Sequence, residues 1–410
     1  MMEEKARITE VDEPLNHDSY DRNHGPIPQI DPSKHRVTVD GEVPKPLSLS
    51  IHDLATSFPQ HDVTCVLQCA GNRRHTMRTT LKEVEGIDWG DGAVMNCRWK
   101  GPRLRDILMA AEVDQQKGKE MQVAFSCHQQ ETQEDSWYGA SIALDRGISE
   151  EAERNGKPLS ANNGAPVRVV VPGIAGARSR DYKVLPKEAT DKDAAQKFWG
   201  STPALQDMPI NSVVARPKSG ATLHTNEDGM IEVEGYALPQ GADGPVTKVE
   251  VSADEHKTWV EAELIGERSK FSWVLWKTKI KVGKGNGKRI FSRATDAGGN
   301  RQEAKAVWNL RGVAYNGYGE AGDLDSRPRD YPGGVIHLSS EIVLPLLKDD
   351  LSVSERLVEQ FAVAKTLCYE TMHALGAYIR TTMPNIPPVG PEPSFKDQNL
   401  CKLSRSWENA

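Results

Sequence analysis

Cys69 closes an apolar run at residues 63–67 plus Gln68, and is followed by Ala70, Gly71, Asn72, Arg73 and Arg74. A strand that runs into such a turn holds one thiol rigidly at its end, because Gly71 and Asn72 tolerate the backbone angles of a sharp reversal. Two adjacent guanidiniums lower the cost of a thiolate and of a bound anion. The chemistry on offer is a soft metal ligand beside an anion pocket. On the residues alone a second reading stands with equal weight, a core cysteine followed by a solvated arginine pair.

The elements that must hold this turn fall into two textures. From about residue 20 to 205, short strands at 35–39, 63–67, 121–126 and 167–171 mix with helical stretches such as 104–111, which predicts an α+β domain. From 206 to 315, alternating segments at 230–237, 246–253, 271–280 and 289–295 are separated by Gly, Asp and Pro. That spacing predicts a β-sandwich of immunoglobulin type without its disulfide. Residues 319–334 are rich in Gly, Pro, Asp and Arg and read as a boundary or linker. Within 316–410, Ser352 and Glu355 form a capping box that opens a helix to about Met383, with an apolar stripe through Leu357, Phe361, Ala364, Cys368 and Leu375. Residues 384–410 read as a disordered tail, and residues 1–19 as an N-terminal lead.

A chain of 410 residues has room for two or three domains that each bury a core. Its net charge of -7 repels nucleic-acid phosphate, so any anion site must be a local basic pocket. The six cysteines, Cys65, Cys69, Cys97, Cys127, Cys368 and Cys401, follow no disulfide framework and no zinc spacing, which fits a reducing compartment. The first residues lack a secretory core, the last three are no peroxisomal address, and there is no apolar run of about eighteen residues. An intracellular, soluble protein without a membrane span is expected, with peroxisome, mitochondrion and cytosol left open.

Further motifs follow in order: Arg22-Asn23-His24, Trp89-Gly90, Trp99-Lys100-Gly101, residues 138–142 and 166–173, Gly176-Ala177-Arg178-Ser179, Asp181-Tyr182-Lys183 and Trp308-Asn309-Leu310-Arg311. With the Cys69 motif, this set resembles the sulfite oxidase family, which includes the molybdenum domain of eukaryotic nitrate reductase, over roughly residues 20–315. The resemblance implies a molybdopterin-binding α+β domain and an immunoglobulin-like dimerisation domain, hence a homodimer. It implies that Cys69 binds molybdenum, whose other ligands come from the pterin dithiolene and oxo groups. Arg22, Arg74 and Arg311 would form the sulfite pocket with Trp89 as a wall, and Tyr182 would be the active-site phenol. Asn23, His24, Arg168 and Ser179 are the implied cofactor contacts. Taken singly, each arginine reads as a surface ion pair, Tyr182 as a half-buried tyrosine, and Trp89 and Trp99 as core.

The reaction so implied is oxidation of sulfite to sulfate by oxo transfer, with two electrons passed to an external acceptor, dioxygen or cytochrome c. Arg311 favours sulfite over nitrate, because nitrate reductases carry an apolar residue there. Tyr331 stands where a cytochrome b5-like motif has its axial histidine, and no Gly-x-Gly-x-x-Gly fingerprint follows a strand, so neither haem nor flavin nor nicotinamide is expected. The chain departs from the family pattern at Asn162-Asn163-Gly164, where the family has Asp-His-Gly, and in shortened runs near 148–154 and between Ser179 and Asp181. Those departures motivate two alternatives, a catalytically impaired dimeric scaffold and a nitrate reductase-like oxo-transfer enzyme.

Overall fold

Short, alternating apolar segments give short strands in the computed structural model, which describes residues 27–118, 120–128, 137–148, 159, 164–175 and 182–328. All of these belong to one unit, Met1–Pro328. Its first part is built from three antiparallel strand pairs and brief helices. Strand β1 (Arg36–Val39) pairs with β2 (Leu47–Ser50), and α1 (Ile51–Thr56) follows directly. Ser50 caps that helix: its hydroxyl accepts from the Asp53 N–H at 3.0 Å while the Asp53 carboxylate accepts from the Ser50 N–H at 2.8 Å. Strand β3 (His61–Gln68) leads to Cys69, the turn ends in α2 (Arg74–Thr80), and β4 (Val94–Gly101) returns along β3. Helix α3 (Leu104–Ala110), the pair β5 (Gln122–Cys127) and β6 (Tyr138–Ala143), α4 (Leu144–Gly147) and α5 (Lys192–Ala195) complete this part.

The second part is a two-sheet sandwich. Its strands are β7 (Asn211–Arg216), β8 (Thr222–Thr225), β9 (Met230–Leu238), β10 (Val246–Ser252), β11 (Val260–Glu261), β12 (Glu263–Ile265), β13 (Val274–Lys281), β14 (Gly285–Asp296) and β15 (Gly319–Pro328). One sheet has the order β11-β10-β14-β15-β8, the other β12-β13-β9-β7. Inward residues at alternate positions, among them Val233, Val249, Val251, Trp276, Ile290 and Leu324, fill the space between the sheets. Each such side chain contributes about 1.5–3 kcal/mol by leaving water.

The sandwich also grips the strand that carries the thiol. The Val66 N–H donates to the Phe271 carbonyl at 2.9 Å, the Ser269 hydroxyl to the Thr64 carbonyl at 3.1 Å, and the Trp273 N–H to the Asn96 side chain at 3.2 Å. Cys69 is thus held from the second part of the chain as well as from the first.

Two segments differ from the sequence reading. Residues 167–171, expected to be a strand, enter no sheet among the described residues, and Val169 is exposed. Residues 319–334 were expected to be a linker, yet Gly319–Pro328 is β15, paired on both sides and placing Ala321 and Leu324 in the core. Its glycine and aspartate mark a bulge: Asp323 has φ 53° where the register with β14 shifts. The capped helix at 352–383, the tail, Arg22, Asn23, His24, Asn162, Asn163 and Ser179 lie outside the described residues. Among the described residues no helix is long and apolar enough to cross a membrane.

One surface loop carries a pH-dependent part of the stability. Asp254, after β10, accepts from the Thr258 hydroxyl at 2.6 Å, the Thr258 N–H at 2.9 Å and the Ser252 hydroxyl at 2.9 Å, which holds its carboxyl down at about 2 from 3.8. A depressed carboxyl stabilises the fold above the unfolded value and loses that contribution as pH falls through the folded one. Asp254→Asn is expected to lower stability at neutral pH and to flatten the fall between about pH 4 and 2, read by circular dichroism in an acid titration.

Candidate functional site

The turn after β3 is fixed at nearly every polar atom. Cys69 N–H donates to the Ala93 carbonyl at 3.0 Å, Asn72 N–H to the Cys69 carbonyl at 2.9 Å, and the Asn72 side chain accepts from the Ala93 N–H at 3.1 Å. The Gly71 N–H points at the Cys69 sulfur, 3.4 Å away, and helps to orient it. Arg73 sits at φ 65°, so the chain reverses between the two arginines and sends them to opposite sides.

Arg74 goes to the thiol. Its Nε donates to the Arg311 carbonyl at 3.1 Å and its Nη1 to the Ile87 carbonyl at 2.7 Å. Three glycines make room for it: a Cβ on Gly71 would run into Nη2, one on Gly86 would lie 2.8 Å from Cζ, and one on Gly312 would lie 2.7 Å from Cγ. Gly86 and Gly312 also sit at positive φ. Burial pushes the Arg74 guanidinium below its ordinary value, and the charges of Arg311 and Arg78 push the same way, while Cys69 and Tyr182 push it back up. The four groups are therefore electrostatic neighbours.

Arg311 arrives on a loop of the second part. The Asn309 side chain closes that loop, donating to the Val313 carbonyl at 2.9 Å and accepting from the Val313 N–H at 3.2 Å. Ala314 N–H donates to the Ala70 carbonyl at 2.8 Å and Glu85 N–H to the Leu310 carbonyl at 2.7 Å, so the loop is bonded to the thiol turn on one flank and to the segment after α2 on the other. The Arg311 guanidinium lies 5.8 Å from the centre of the Trp199 ring. Tyr182 packs with Ala70, Ala175, Met208 and Val313, beside both loops.

Arg73 corrects the sequence reading, which placed both guanidiniums beside the thiol. It is only 2% exposed and points into the sandwich. There Nη1 donates to the Asn211 side chain at 2.7 Å and to the Gly317 carbonyl at 2.8 Å, Nη2 donates to the Tyr318 carbonyl at 2.7 Å, and the Tyr315 ring stacks on Cζ at 4.6 Å. Its Nε faces Asp91 at 3.6 Å, and burial of that carboxyl raises its pKa more than Arg73 lowers it.

The remaining expected residues divide. Trp89 is half-buried in the loop whose carbonyls at Trp89 and Gly90 accept from His75 and Arg73, and Arg78 pins that loop by donating to Glu83 and Asp88 at 2.6 Å each. Trp99 is fully buried with Cys65, Cys97 and Phe271 and is core. Arg168 lies over its ring at 5.6 Å.

A cavity of about 1430 Å3 opens beside the turn, with Cys69, Arg168, Gly164 and Tyr182 in its wall. Among the described residues no three His, Cys, Asp or Glu side chains gather as a metal cage. A metal at Cys69 would take its other ligands from an organic group, and the cavity has the size for one. Sequence reasoning missed the Arg74 cradle at Gly86 and Gly312, the loop closure by Asn309, and Trp199. Gly312 next to Arg311 was the one local signal available.

Comparison with known proteins bears on what that group is. Residues 24–199 match the oxidoreductase molybdopterin binding domain, and residues 202–320 the Mo-co oxidoreductase dimerisation domain. A sulfite oxidase from Gallus gallus is 36% identical over 323 residues, covering 72% of this chain and 69% of that protein. The mitochondrial sulfite oxidase of Homo sapiens is 37% identical over 330 residues, covering 73% of this chain and 59% of that protein, so the match spans less than two thirds of the human length. The crystal structure of the sulfane dehydrogenase SoxCD from Paracoccus pantotrophus shares the fold, with a TM-score of 0.57 at 22% identity, covering 74% of this chain and 81% of that one.

Proposed function

Because this chain belongs to the sulfite oxidase family of molybdopterin oxidoreductases, we propose that it oxidises sulfite to sulfate at Cys69 and passes two electrons to an external acceptor. The molybdenum cofactor, when bound, supplies the oxo transfer by which sulfite and water become sulfate, two protons and two electrons. Everything else falls to the protein. The cavity beside Cys69 is where the pterin fits, with Arg168 on its wall for the anionic end. Cys69 offers the metal one soft ligand, its sulfur oriented by the Gly71 N–H.

The observation that carries the reading is the pairing of Arg74 with Arg311. Two like charges held side by side repel, and a chain of net charge -7 has acidic groups enough to separate them. Here backbone carbonyls and glycines hold them together beside the thiol. Such an arrangement is favourable when a small oxyanion lies between the guanidiniums, which match it in shape and charge. Arg74 has spent Nε and Nη1 on carbonyls, so it acts mainly as a fixed charge, and Arg311 supplies the donors. Tyr182, packed against Ala70 and Val313, brings a phenol that can donate to an oxygen of the bound anion.

Arg311→Met is expected to raise the KM for sulfite about 10- to 100-fold, the worth of one charge-assisted hydrogen bond or two. Steady-state assays with sulfite and with nitrate on enzyme of measured molybdenum content test this. An unchanged KM for sulfite removes Arg311 from the pocket, and preferred turnover of nitrate replaces the substrate.

A further inference from the structure

The Arg311 guanidinium makes no hydrogen bond among the described residues, and its Cζ lies over the Trp199 ring, 5.8 Å from the ring centre. A guanidinium attracted over an aromatic ring by its charge spends no N–H group on a hydrogen-bond acceptor there. The ring therefore favours one place for the cation without consuming the donors that an anion needs.

Trp199 is itself anchored at several points. Its N–H donates to the Ala195 carbonyl at 3.3 Å, at the end of α5. Its carbonyl accepts from Lys183 Nζ at 2.5 Å, and Lys183 directly follows Tyr182. Its ring packs with Leu185, Ala189, Ala195 and Leu310, and Leu310 directly precedes Arg311. The Trp199 ring thus touches the residue before Arg311, while its backbone carbonyl is bonded to the residue next to Tyr182.

We infer that Trp199 is the positioning residue that sets the Arg311 guanidinium for the substrate anion, attracting its charge over the ring and leaving its donors to the anion. The inference rests on Arg311 binding the anion. It makes Trp199 a determinant of anion affinity with little part in the redox step, so its loss must appear in KM and not in kcat.

The test uses the cofactor-loaded enzyme and three variants. Trp199→Leu keeps an apolar filler against Leu185 and Leu310 but removes the ring; Trp199→Phe keeps a ring; Arg311→Met checks the pocket. In Trp199→Leu, the KM for sulfite and the Kd for inorganic sulfate by calorimetry are expected to rise about 3- to 30-fold, with kcat within about two-fold of the parent, while Trp199→Phe stays near the parent in all three. If Trp199→Leu matches the parent while Arg311→Met weakens both constants, the positioning role is wrong and the pocket stands. If Arg311→Met also leaves them unchanged, the anion pocket itself is wrong. Equal losses in Trp199→Leu and Trp199→Phe, or losses of molybdenum and melting temperature in place of affinity, would assign Trp199 to packing and overturn the proposal.

Discussion

Arg73→Gln is expected to destabilise the protein by about 3–5 kcal/mol, the cost of breaking a buried charged network on one side only. The Asn211 side chain and the carbonyls of Gly317 and Tyr318 all accept from this one guanidinium. Glutamine is too short to reach them and cannot replace the charge facing Asp91 at 3.6 Å. The Tyr318 carbonyl would lose this donor, and Gly317 and Asn211 would be left with the Gln302 side chain, which donates to them at 2.9 and 3.4 Å. Asn211 gives the loss extra reach, because its own side chain donates to the Tyr315 carbonyl at 2.6 Å. Thermal denaturation should show a fall of roughly 5–15 °C. An exposed arginine such as Arg98, 70% exposed and paired loosely with Asp62 at 3.5 Å, should shift melting by no more than a degree or two when replaced, roughly the worth of a surface pair. A parent-like melting curve for Arg73→Gln would mean that the two parts of the unit do not depend on this clamp.

The contrast between Arg73 and Arg74 marks where the sequence is legible. Both appear as one basic pair, and the thiol, the turn and the nearby cation are contiguous, so the local chemistry of Cys69 can be read directly. Which way each arginine points depends on φ 65° at Arg73, a backbone angle that no residue type announces when the residue is not glycine. Arg311 lies far away in sequence and joins the site only because Asn309 closes its loop and Ala314 bonds to Ala70. Only the family motif pointed to it.

The sandwich was legible from its period in part, since inward residues alternate over 231–233, 249–251 and 292–296, whereas 235–238 and 290–292 are buried throughout. β15 was not, because Gly322, Asp323 and Asp325 outweighed the inward pair Ala321 and Leu324, and a bulge has the composition of a linker. Residues 167–171 failed the other way. An apolar run can be extended without a ladder partner, and composition cannot say whether a partner strand exists.

Cys69→Ser should reduce turnover by at least about 100-fold and lower the molybdenum content, more than the loss of any single supporting contact around a metal ligand. A serine oxygen is harder than sulfur and holds its proton at neutral pH, so it offers neither the polarisable donor nor the charge that a high-valent molybdenum prefers. The other described thiols make the prediction specific. Burial raises Cys97 to about 11, and it lies in the core with Cys65 and Trp99, so it stays protonated and walled off. Cys127 lines the same cavity as Cys69, but it lies in β5 and lacks the Gly71 N–H and the Arg74 charge. Cys127→Ser should therefore keep both metal and turnover. Metal analysis by mass spectrometry, beside sulfite turnover, separates the two thiols. If Cys127→Ser loses the metal and Cys69→Ser keeps it, the ligand sits on β5, away from the Gly71 N–H, and the assignment of the reacting centre to Cys69 beside Arg74 and Arg311 is wrong.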